Sequence, residues 1–461
     1  MNNSRAVAAG IIHKTLEEGG KSHELLQEAF RNAPETDSRE RNFITALVHG
    51  TISRALTLDW YLSQVSRVEP ARMKPYLRSV LRMGLYQLLY MDRVPASAAV
   101  NESVKLVRKR LGEGLTGFAN GVLRAAARKN DWKEPEGAAA VSLPEPLFRA
   151  LSDLYGEKKA LAAGSYFLEV PTLWLRVNES RIRPEEAVRL LEADGFEAEP
   201  HPLFPFALRI RKRKEEAPEA SEGENATGTL QAAVPLEKTR VVREGLAQIQ
   251  DISAQLAVLA AAPLPGGKVL DLCAAPGGKS LHAADRMKDR GEVIACDLTE
   301  GKCRLIRENQ KRSGFSCLKV RQADATVFEA SFENAFDLVI ADLPCSGLGT
   351  ASRKPEIKYR VKTEQIRELA ALQRKILANA VRYVKPGGKL LYSTCTLSKE
   401  ENADNALYIE QELGLLPEAW TLPGEKEETA RPGHVRQLLP GDLGGDGFFI
   451  SLFRKAETGR L

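Results

Sequence analysis

Two cysteines in this sequence follow segments that are typical of buried β-strands. Cys345 lies in DLPCSG, at the end of the apolar run FDLVIAD, and Cys395 lies in STCT, after KLLY. A buried cysteine is often just a small apolar residue, and we interpret Cys296, Cys303 and Cys317 in that way. Two cysteines in flanking loops at one edge of a sheet indicate a catalytic role instead.

The chemistry that fits such a pair is methyl transfer to C5 of a cytosine. C5 is too weakly nucleophilic to take a methyl group directly, but a thiolate that adds to C6 makes C5 enamine-like, so one hard step becomes two easier ones. Cys395 would be this nucleophile, with a lowered pKa. Asp342 would hydrogen-bond or protonate N3, and as a general acid it would need a raised pKa. Cys345 would remove the C5 proton so that the thiol can leave, and Lys279 could assist by its positive charge.

A glycine-rich turn, DLCAAPGGKS at residues 271–280, lies between a predicted strand and a predicted helix. Gly277 and Gly278 allow the backbone to approach a ligand closely. The turn is neither G-x-G-x-x-G nor G-x-x-x-x-G-K-[ST], so dinucleotide and triphosphate sites are disfavoured. The alternative is a tight strand–helix turn that binds no ligand.

Three further acids, Asp297, Asp324 and Asp342, stand at the ends of predicted strands. Asp297 follows Gly278 by 19 residues, near the ribose-binding offset of a Rossmann-type site, although it could instead cap the next helix. Asp324 is placed to bind an adenine amino group. Acids at these three strand ends suit a ligand that carries ribose hydroxyls, an exocyclic amine and a positive charge. S-adenosylmethionine carries all three, so we expect it as the cofactor.

The elements that position these residues belong to an α/β domain. From about residue 245, short apolar strands alternate with helices, which predicts a mostly parallel, doubly wound sheet that binds ligands at the carboxyl ends of its strands. The predicted organisation is an all-helical domain at 1–130, a connector and helix at 131–170, a small α+β subdomain at 171–240 with a flexible insertion near 214–229, and the sheet domain at 241–461.

Composition narrows the class of protein. The 461 residues include 43% apolar residues but no run of about 18 of them, and the N-terminus lacks the apolar stretch of a signal peptide. None of the six cysteines forms a Cys-x-x-Cys pair, so we expect no zinc site, no disulfide scaffold and a cytoplasmic location. Residues 1–133 contain 21 Lys or Arg and 13 Asp or Glu, which favours a polyanionic partner, although a solvated helical surface would look the same.

The motifs resemble those of a known family. DLCAAPGGKS, DLPCSGLGT and STCTL are similar to the motifs of RNA cytosine-5-methyltransferases that share a Pro-Cys and a Thr-Cys motif. PASAAVNESVKLVRKRL and GFANGVLR resemble the NusB-type helices of one branch, the bacterial 16S ribosomal RNA cytosine-5-methyltransferase B family, also called RsmB, Sun or Fmu. QDISAQL and DGFFISLFRK also match this branch, so the resemblance covers nearly all of the chain.

The resemblance implies a Rossmann-like S-adenosylmethionine-dependent methyltransferase domain behind a NusB-like RNA-binding domain. It implies Cys395 as the nucleophile, Cys345 as the residue needed for product release, and 5-methylcytosine at position 967 of 16S ribosomal RNA as the product. We further expect a monomer that binds no metal and no membrane and acts in ribosome biogenesis. The implied cofactor contacts are Cys273, Ala274, Ala275, Pro276, Gly277, Gly278, Lys279, Asp297, Asp324 and Asp342.

Two departures from the family pattern leave alternatives open. Lys354 and Tyr359 stand where the family often has His and Trp, in a loop at 353–360 that is a candidate for RNA contact. The acidic insertion near 214–229 is not a family feature. The alternative functions are the same chemistry on transfer RNA or another ribosomal site, and a catalytically inert RNA-binding assembly or antitermination factor.

Overall fold

The computed structural model describes residues 4–212, 235–421 and 433–457, and the insertion predicted near 214–229 lies outside them. The chain forms two compact units, one of Met1–Pro171 with Thr350–Val361 and one of Thr172–Gly349 with Lys362–Leu461. The helices are α1 Ser4–Glu18, α2 Ser22–Asn32, α3 Ser38–Ser53, α4 Ala55–Ser63, α5 Pro75–Tyr90, α6 Ala96–Leu111, α7 Thr116–Arg128, α8 Gly137–Ala140, α9 Glu145–Tyr155, α10 Glu157–Tyr166, α11 Pro184–Ala193, α12 Arg240–Arg243, α13 Ile252–Ala261, α14 Gly278–Arg286, α15 Glu300–Ser313, α16 Ile357–Arg360, α17 Thr363–Tyr383 and α18 Ala403–Gln411. The strands are β1 Leu173–Val177, β2 Phe196–His201, β3 Phe204–Lys212, β4 Ala247–Ile249, β5 Lys268–Asp271, β6 Glu292–Asp297, β7 Leu318–Gln322, β8 Phe336–Asp342, β9 Val384–Thr394, β10 Leu416–Pro417, β11 Val435–Leu438 and β12 Phe448–Arg454.

The first unit is a helical bundle around α5. Leu77, Val80, Leu81 and Leu85 recur on one face of α5, and all four are buried in a core shared with α1, α3, α6 and α7. A proline at the first position of α5 pre-forms its first turn. Within 131–170, where a connector and one helix were expected, the short α8 is followed by two helices, α9 and α10. Gly156 separates them with a φ of +87°, a conformation that suits glycine.

The segment 350–361 is part of the helical unit although it lies far along the chain. Lys358 is 1% exposed and donates to the carbonyl of Ser53 at 2.6 Å, and burial lowers its pKa well below the ordinary value. The buried Glu356 carboxylate accepts hydrogen bonds from the backbone and hydroxyl of Ser22 at 3.0 and 2.8 Å. These contacts hold α16 inside the unit.

Tyr359 is also held by this unit. Its hydroxyl lies 2.8 Å from the carbonyl oxygen of Ile52 and 2.9 Å from the hydroxyl of Ser142, and its ring packs on the helical core. The sequence had made this loop a candidate for RNA contact. The Tyr359 hydroxyl has internal partners and Lys354 is exposed, and contact of this loop with RNA stays a prediction.

The second unit contains two sheets that share one apolar core. The small sheet has the order β2-β3-β1-β4 and is covered by α11. Strand β4 pairs with β1 through Leu175 and Ile249, so the small sheet extends beyond the boundary expected at residue 240. Neither β2 nor β4 was predicted from the sequence, because β2 is mostly exposed and β4 has only three residues.

The large sheet has the order β10-β12-β9-β8-β5-β6-β7, with β11 paired to β12. Strands β5 to β9 are parallel, and β12 adds antiparallel to β9. This is the predicted mostly parallel α/β sheet. Its carboxyl edge carries the predicted Asp297 and Asp342 together with Asp271 and Thr394, and the glycine-rich turn and the loops of Cys345 and Cys395 leave the sheet at the same edge.

No helix within the described ranges is both long enough and apolar enough to span a membrane.

Candidate active site

The glycine-rich turn between β5 and α14 is held in place by its neighbours. The backbone NH of Ala274 donates to the carbonyl of Cys296 at 2.8 Å, and the Asn309 side chain donates to the carbonyl of Pro276 at 2.7 Å. Gly277 has a φ of +104°, and a Cβ there would lie 3.3 Å from Ile306, so glycine suits both the conformation and the space. The turn therefore has a fixed shape at the carboxyl edge of the sheet.

Asp297 completes this turn. Its carboxylate accepts hydrogen bonds from the backbone NH of Ala275 at 3.0 Å and from that of Leu298 at 2.8 Å. The alternative role of helix cap belongs to another residue, because the Thr299 side chain caps α15. Asp324 lies two residues beyond β7 rather than at its end, and hydrogen bonds from Thr326 lower its pKa.

Asp271 was not among the predicted site residues. It is fully buried, and its Oδ2 accepts a hydrogen bond from the Ser280 hydroxyl at 2.6 Å. Its Oδ1 has no hydrogen-bond partner among the residues that the structure describes. Burial raises the pKa of Asp271 to about 7. A buried carboxylate oxygen without a donor marks a place where a ligand can supply one.

Lys279 and Asp342 form a close ion pair at the same edge. Lys279 Nζ lies 2.5 Å from Asp342 Oδ2, and the Ser393 hydroxyl donates to Asp342 Oδ1 at 2.8 Å. Burial opposes the charge on Lys279, but Asp342 outweighs it and raises the pKa of Lys279, and the charge of a Cys395 thiolate acts in the same direction. Lys279 is therefore a cation that interacts electrostatically with both Asp342 and Cys395.

The thiols of Cys345 and Cys395, predicted to act together, are in contact. Strands β8 and β9 are parallel with Asp342 opposite Ser393, so the loops that follow them leave the sheet side by side. Cys345 Sγ and Cys395 Sγ are 3.4 Å apart. The hydrogen bond with Cys395 raises the pKa of Cys345 well above its ordinary value, and burial and the charges of Glu401 and Asp342 add to the effect. Cys345 therefore keeps its proton more readily than an ordinary thiol.

Close backbone contacts fix both cysteine loops. The NH of Gly349 donates to the carbonyl of Cys395 at 3.0 Å, and the NH of Gly447 donates to the carbonyl of Gly349 at 2.9 Å. A Cβ on Gly349 would lie 2.1 Å from the Gly447 oxygen, so only glycine allows this approach. The side chains of Glu401 and Asn402, which the sequence analysis did not single out, also hold these loops.

The remaining cysteines lie away from this pair. Cys296, Cys303 and Cys317 are buried, and burial raises the pKa of each of them. Burial likewise raises the pKa of Cys273 in the glycine-rich turn. Within the part of the chain that the structure describes, no group of three or more His, Cys, Asp or Glu side chains could hold a metal ion.

A parallel sheet that carries such a turn after its first strand, with acids at the ends of the next strands, has the architecture of S-adenosylmethionine-dependent methyltransferases, and the protein is of that class. Residues 258–454 match the family described as 16S rRNA methyltransferase RsmB/F. Residues 2–128 match the NusB family, and residues 143–215 match the ferredoxin-like domain of RsmF/B-like methyltransferases.

A curated relative from Bacillus subtilis (strain 168), named probable ribosomal RNA small subunit methyltransferase B, is 33% identical over 453 residues, which cover 95% of this chain and 96% of the relative. The chain belongs to the ribosomal RNA small subunit methyltransferase B family, and the resemblance stated from its motifs is confirmed. It is a methyltransferase of RNA that uses S-adenosylmethionine.

Solved structures share the fold. The protein PH0851 superposes with a TM-score of 0.76 and 24% identity over 99% of both chains. NSun6 from Pyrococcus horikoshii with SFG superposes with a TM-score of 0.56 and 22% identity, covering 68% of this chain and 98% of that one.

Proposed function

We propose that the protein methylates C5 of a cytosine in 16S ribosomal RNA, at the position numbered 967, through a bond between Cys395 Sγ and C6 of the base. The observation that carries this proposal is the pair of thiols 3.4 Å apart beside the Lys279–Asp342 ion pair. A methyltransferase that alkylates a stronger nucleophile, such as an amine, needs no thiol at this edge.

The cofactor fits the residues at the sheet edge. We assign it to the turn Cys273–Lys279 and to Asp297, Asp324 and Asp342, as the resemblance implies. Asp271 joins this set because its orphaned Oδ1 can accept a hydrogen bond from the α-ammonium group. Leu298 and Val327 are exposed apolar side chains in the loops after β6 and β7, and they offer packing for an adenine ring. S-adenosylmethionine, when bound, supplies an electrophilic methyl group.

Cys395 begins the reaction as a thiolate. Its sulfur bonds to C6, and the electrons of the C5–C6 double bond shift toward N3. The Lys279 cation stabilises the thiolate, since the two interact electrostatically. The intermediate then needs a hydrogen bond or a proton at N3, and Asp342 is assigned this role. Because Asp342 is paired with Lys279 at 2.5 Å, a proton delivered to N3 through Asp342 would come from Lys279.

Cys345 ends the reaction as a base. Before attack it shares a hydrogen bond with Cys395, and this bond is the largest cause of its raised pKa. Once Cys395 is bound to C6 it carries no charge, so that cause disappears and Cys345 loses its proton more easily. The Cys345 thiolate then takes the C5 proton, the C5–C6 double bond reforms, and Cys395 leaves as a thiolate. The two sulfurs therefore act in turn.

The test is methyl transfer from labelled S-adenosylmethionine to unmodified 16S RNA, followed by mapping of the modified nucleotide. We expect label on C5 of a single cytosine, and no transfer by Cys395→Ala. Substantial activity in that variant would refute the covalent role.

The same assay separates the alternative functions. Label on transfer RNA and none on 16S RNA would keep the chemistry and change the target. No label on any RNA, together with no binding of S-adenosylmethionine in equilibrium dialysis, would favour an inert assembly factor.

A further inference from the structure

Two adjacent buried residues, Glu401 and Asn402, lie beneath the cysteine pair. They follow β9 and precede α18. Glu401 accepts hydrogen bonds from Ser346, next to Cys345, and one at 2.7 Å from Ser398, three residues after Cys395. Asn402 contacts the residues on both sides of Cys395. The described hydrogen bonds of these side chains go to residues next to the two cysteines, so they act on the thiols chiefly by placement, and the charge of Glu401 also raises the pKa of Cys345.

Glu401 holds the residue after Cys345 at two points. Its Oε1 accepts a hydrogen bond from the backbone NH of Ser346 at 2.8 Å, and its Oε2 accepts one from the Ser346 hydroxyl at 2.6 Å. The Gln373 amide donates to the same Oε1 at 3.2 Å and to the carbonyl of Pro344 at 2.8 Å. Both neighbours of Cys345 are thus tied to one buried carboxylate, which fixes the direction of the thiol.

Asn402 holds the residues on both sides of Cys395. Its Oδ1 accepts a hydrogen bond from the Thr394 hydroxyl at 2.5 Å, and its Nδ2 donates to the carbonyl of Thr396 at 3.0 Å. The same Nδ2 donates to Gln437 at 2.7 Å. An amide has one acceptor and one two-proton donor, and this one uses both to span the nucleophile's loop.

We propose that Glu401 and Asn402 are positioning residues with separate tasks: Glu401 orients Cys345 for release of the product, and Asn402 orients Cys395 for attack. This inference rests on the proposed covalent function. It predicts that two neighbouring substitutions slow two different steps of one reaction. A residue that only stabilises the fold would slow both steps together.

The experiment uses full-length protein, labelled 16S RNA and saturating S-adenosylmethionine. Denaturing gels follow the protein–RNA adduct, and release of methylated RNA is followed separately. Glu401→Gln should form the adduct at nearly the wild-type rate but release it about 100-fold more slowly, as a small misplacement of a reacting group can cost that much. Asn402→Ala should form the adduct about 100-fold more slowly and should not accumulate it. The affinity for S-adenosylmethionine should change less than about twofold in both, since their hydrogen bonds avoid the cofactor turn.

Matched controls are Glu412→Gln and Gln411→Ala, which change an exposed carboxylate and an exposed amide at the end of α18 and should leave both rates unchanged. If Glu401→Gln fails to fold, Ser346→Ala removes only one hydroxyl from the same network and should slow release about tenfold. Equal slowing of attack and release in both variants, or no slowing in either, overturns the inference. If the wild-type protein itself transfers no methyl group and forms no adduct, the proposed function fails, which is a different result.

Discussion

Replacing Lys279 with methionine tests the electrostatic core of the site. The change removes an ammonium group 2.5 Å from Asp342 and keeps an unbranched side chain of similar length. The two side chains are only 11% and 29% exposed, so the lost charge is poorly replaced by water. Removing one partner of a buried ion pair costs about 3–5 kcal/mol. Asp342 is partly exposed and keeps its hydrogen bond from Ser393, so we expect the free energy of unfolding to fall by about 2–3 kcal/mol.

The effect on catalysis should be larger than this loss of stability alone would produce. In the proposed mechanism Lys279 stabilises the Cys395 thiolate and supplies the proton that Asp342 delivers. Loss of one such preorganised group slows an enzyme about 100- to 1000-fold. Single-turnover methyl transfer at saturating S-adenosylmethionine measures the rate, and thermal unfolding measures the stability.

The matched control is Lys268→Met, the same substitution at the first residue of β5. Lys268 is 59% exposed and lies 3.8 Å from Glu292, and a surface pair of this kind contributes about 0–1 kcal/mol. The control should keep the wild-type rate. If Lys279→Met transferred methyl groups within about threefold of the wild-type rate, the electrostatic role of Lys279 would be refuted.

Three other predictions concern separate features. Cofactor binding at pH 7 should release about half a proton, because Asp271, with a pKa of about 7, is about half protonated when free and ionises beside the cofactor ammonium. Calorimetry in two buffers measures the release, and Asp271→Asn should release none. Cys345→Ala should accumulate a protein–RNA adduct on a denaturing gel, and a gel without adduct would count against this role. Wild-type release should quicken as pH rises, because Cys345 must lose its proton and burial and the charges of Glu401 and Asp342 still raise its pKa in the adduct. Tyr359→Phe should lower the free energy of unfolding by about 1–3 kcal/mol because the carbonyl of Ile52 loses its hydrogen-bond donor, whereas the control Tyr408→Phe should leave it unchanged. Chemical denaturation measures both, and equal midpoints for Tyr359→Phe and the wild type would contradict the internal hydrogen bond.

The α/β sheet and its ligand edge could be predicted from local sequence. Short apolar runs that end in an acid mark both a strand and its carboxyl end, which is why Asp297 and Asp342 were placed correctly at the sheet edge. The resemblance to the family rested on motifs in the same loops. The roles of Cys345 and Cys395 remain predictions, although the structure brings their sulfurs together.

Other parts of the site depend on tertiary contacts that no local pattern reveals. Glu401 and Asn402 lie in a stretch rich in charged and amide residues, SKEENADN, which reads as a solvated turn. Their burial results from partners on β9, α17 and β11 and in the loop after β8. Likewise, Glu356 and Lys358 have the composition of an exposed loop, and only pairing with residues more than 300 positions away explains their burial.

The membership of segment 350–361 in the helical unit has a consequence for how the protein is made. A ribosome delivers residues 1–171 first and then residues 172–349 before the segment that supplies the buried partners of Ser22 and Ser53 exists. The helical unit therefore cannot be complete until residue 361 has left the exit tunnel. A gene fusion that transplants only the first 171 residues would carry an unfinished module, and one that includes the twelve-residue segment on a linker would restore it.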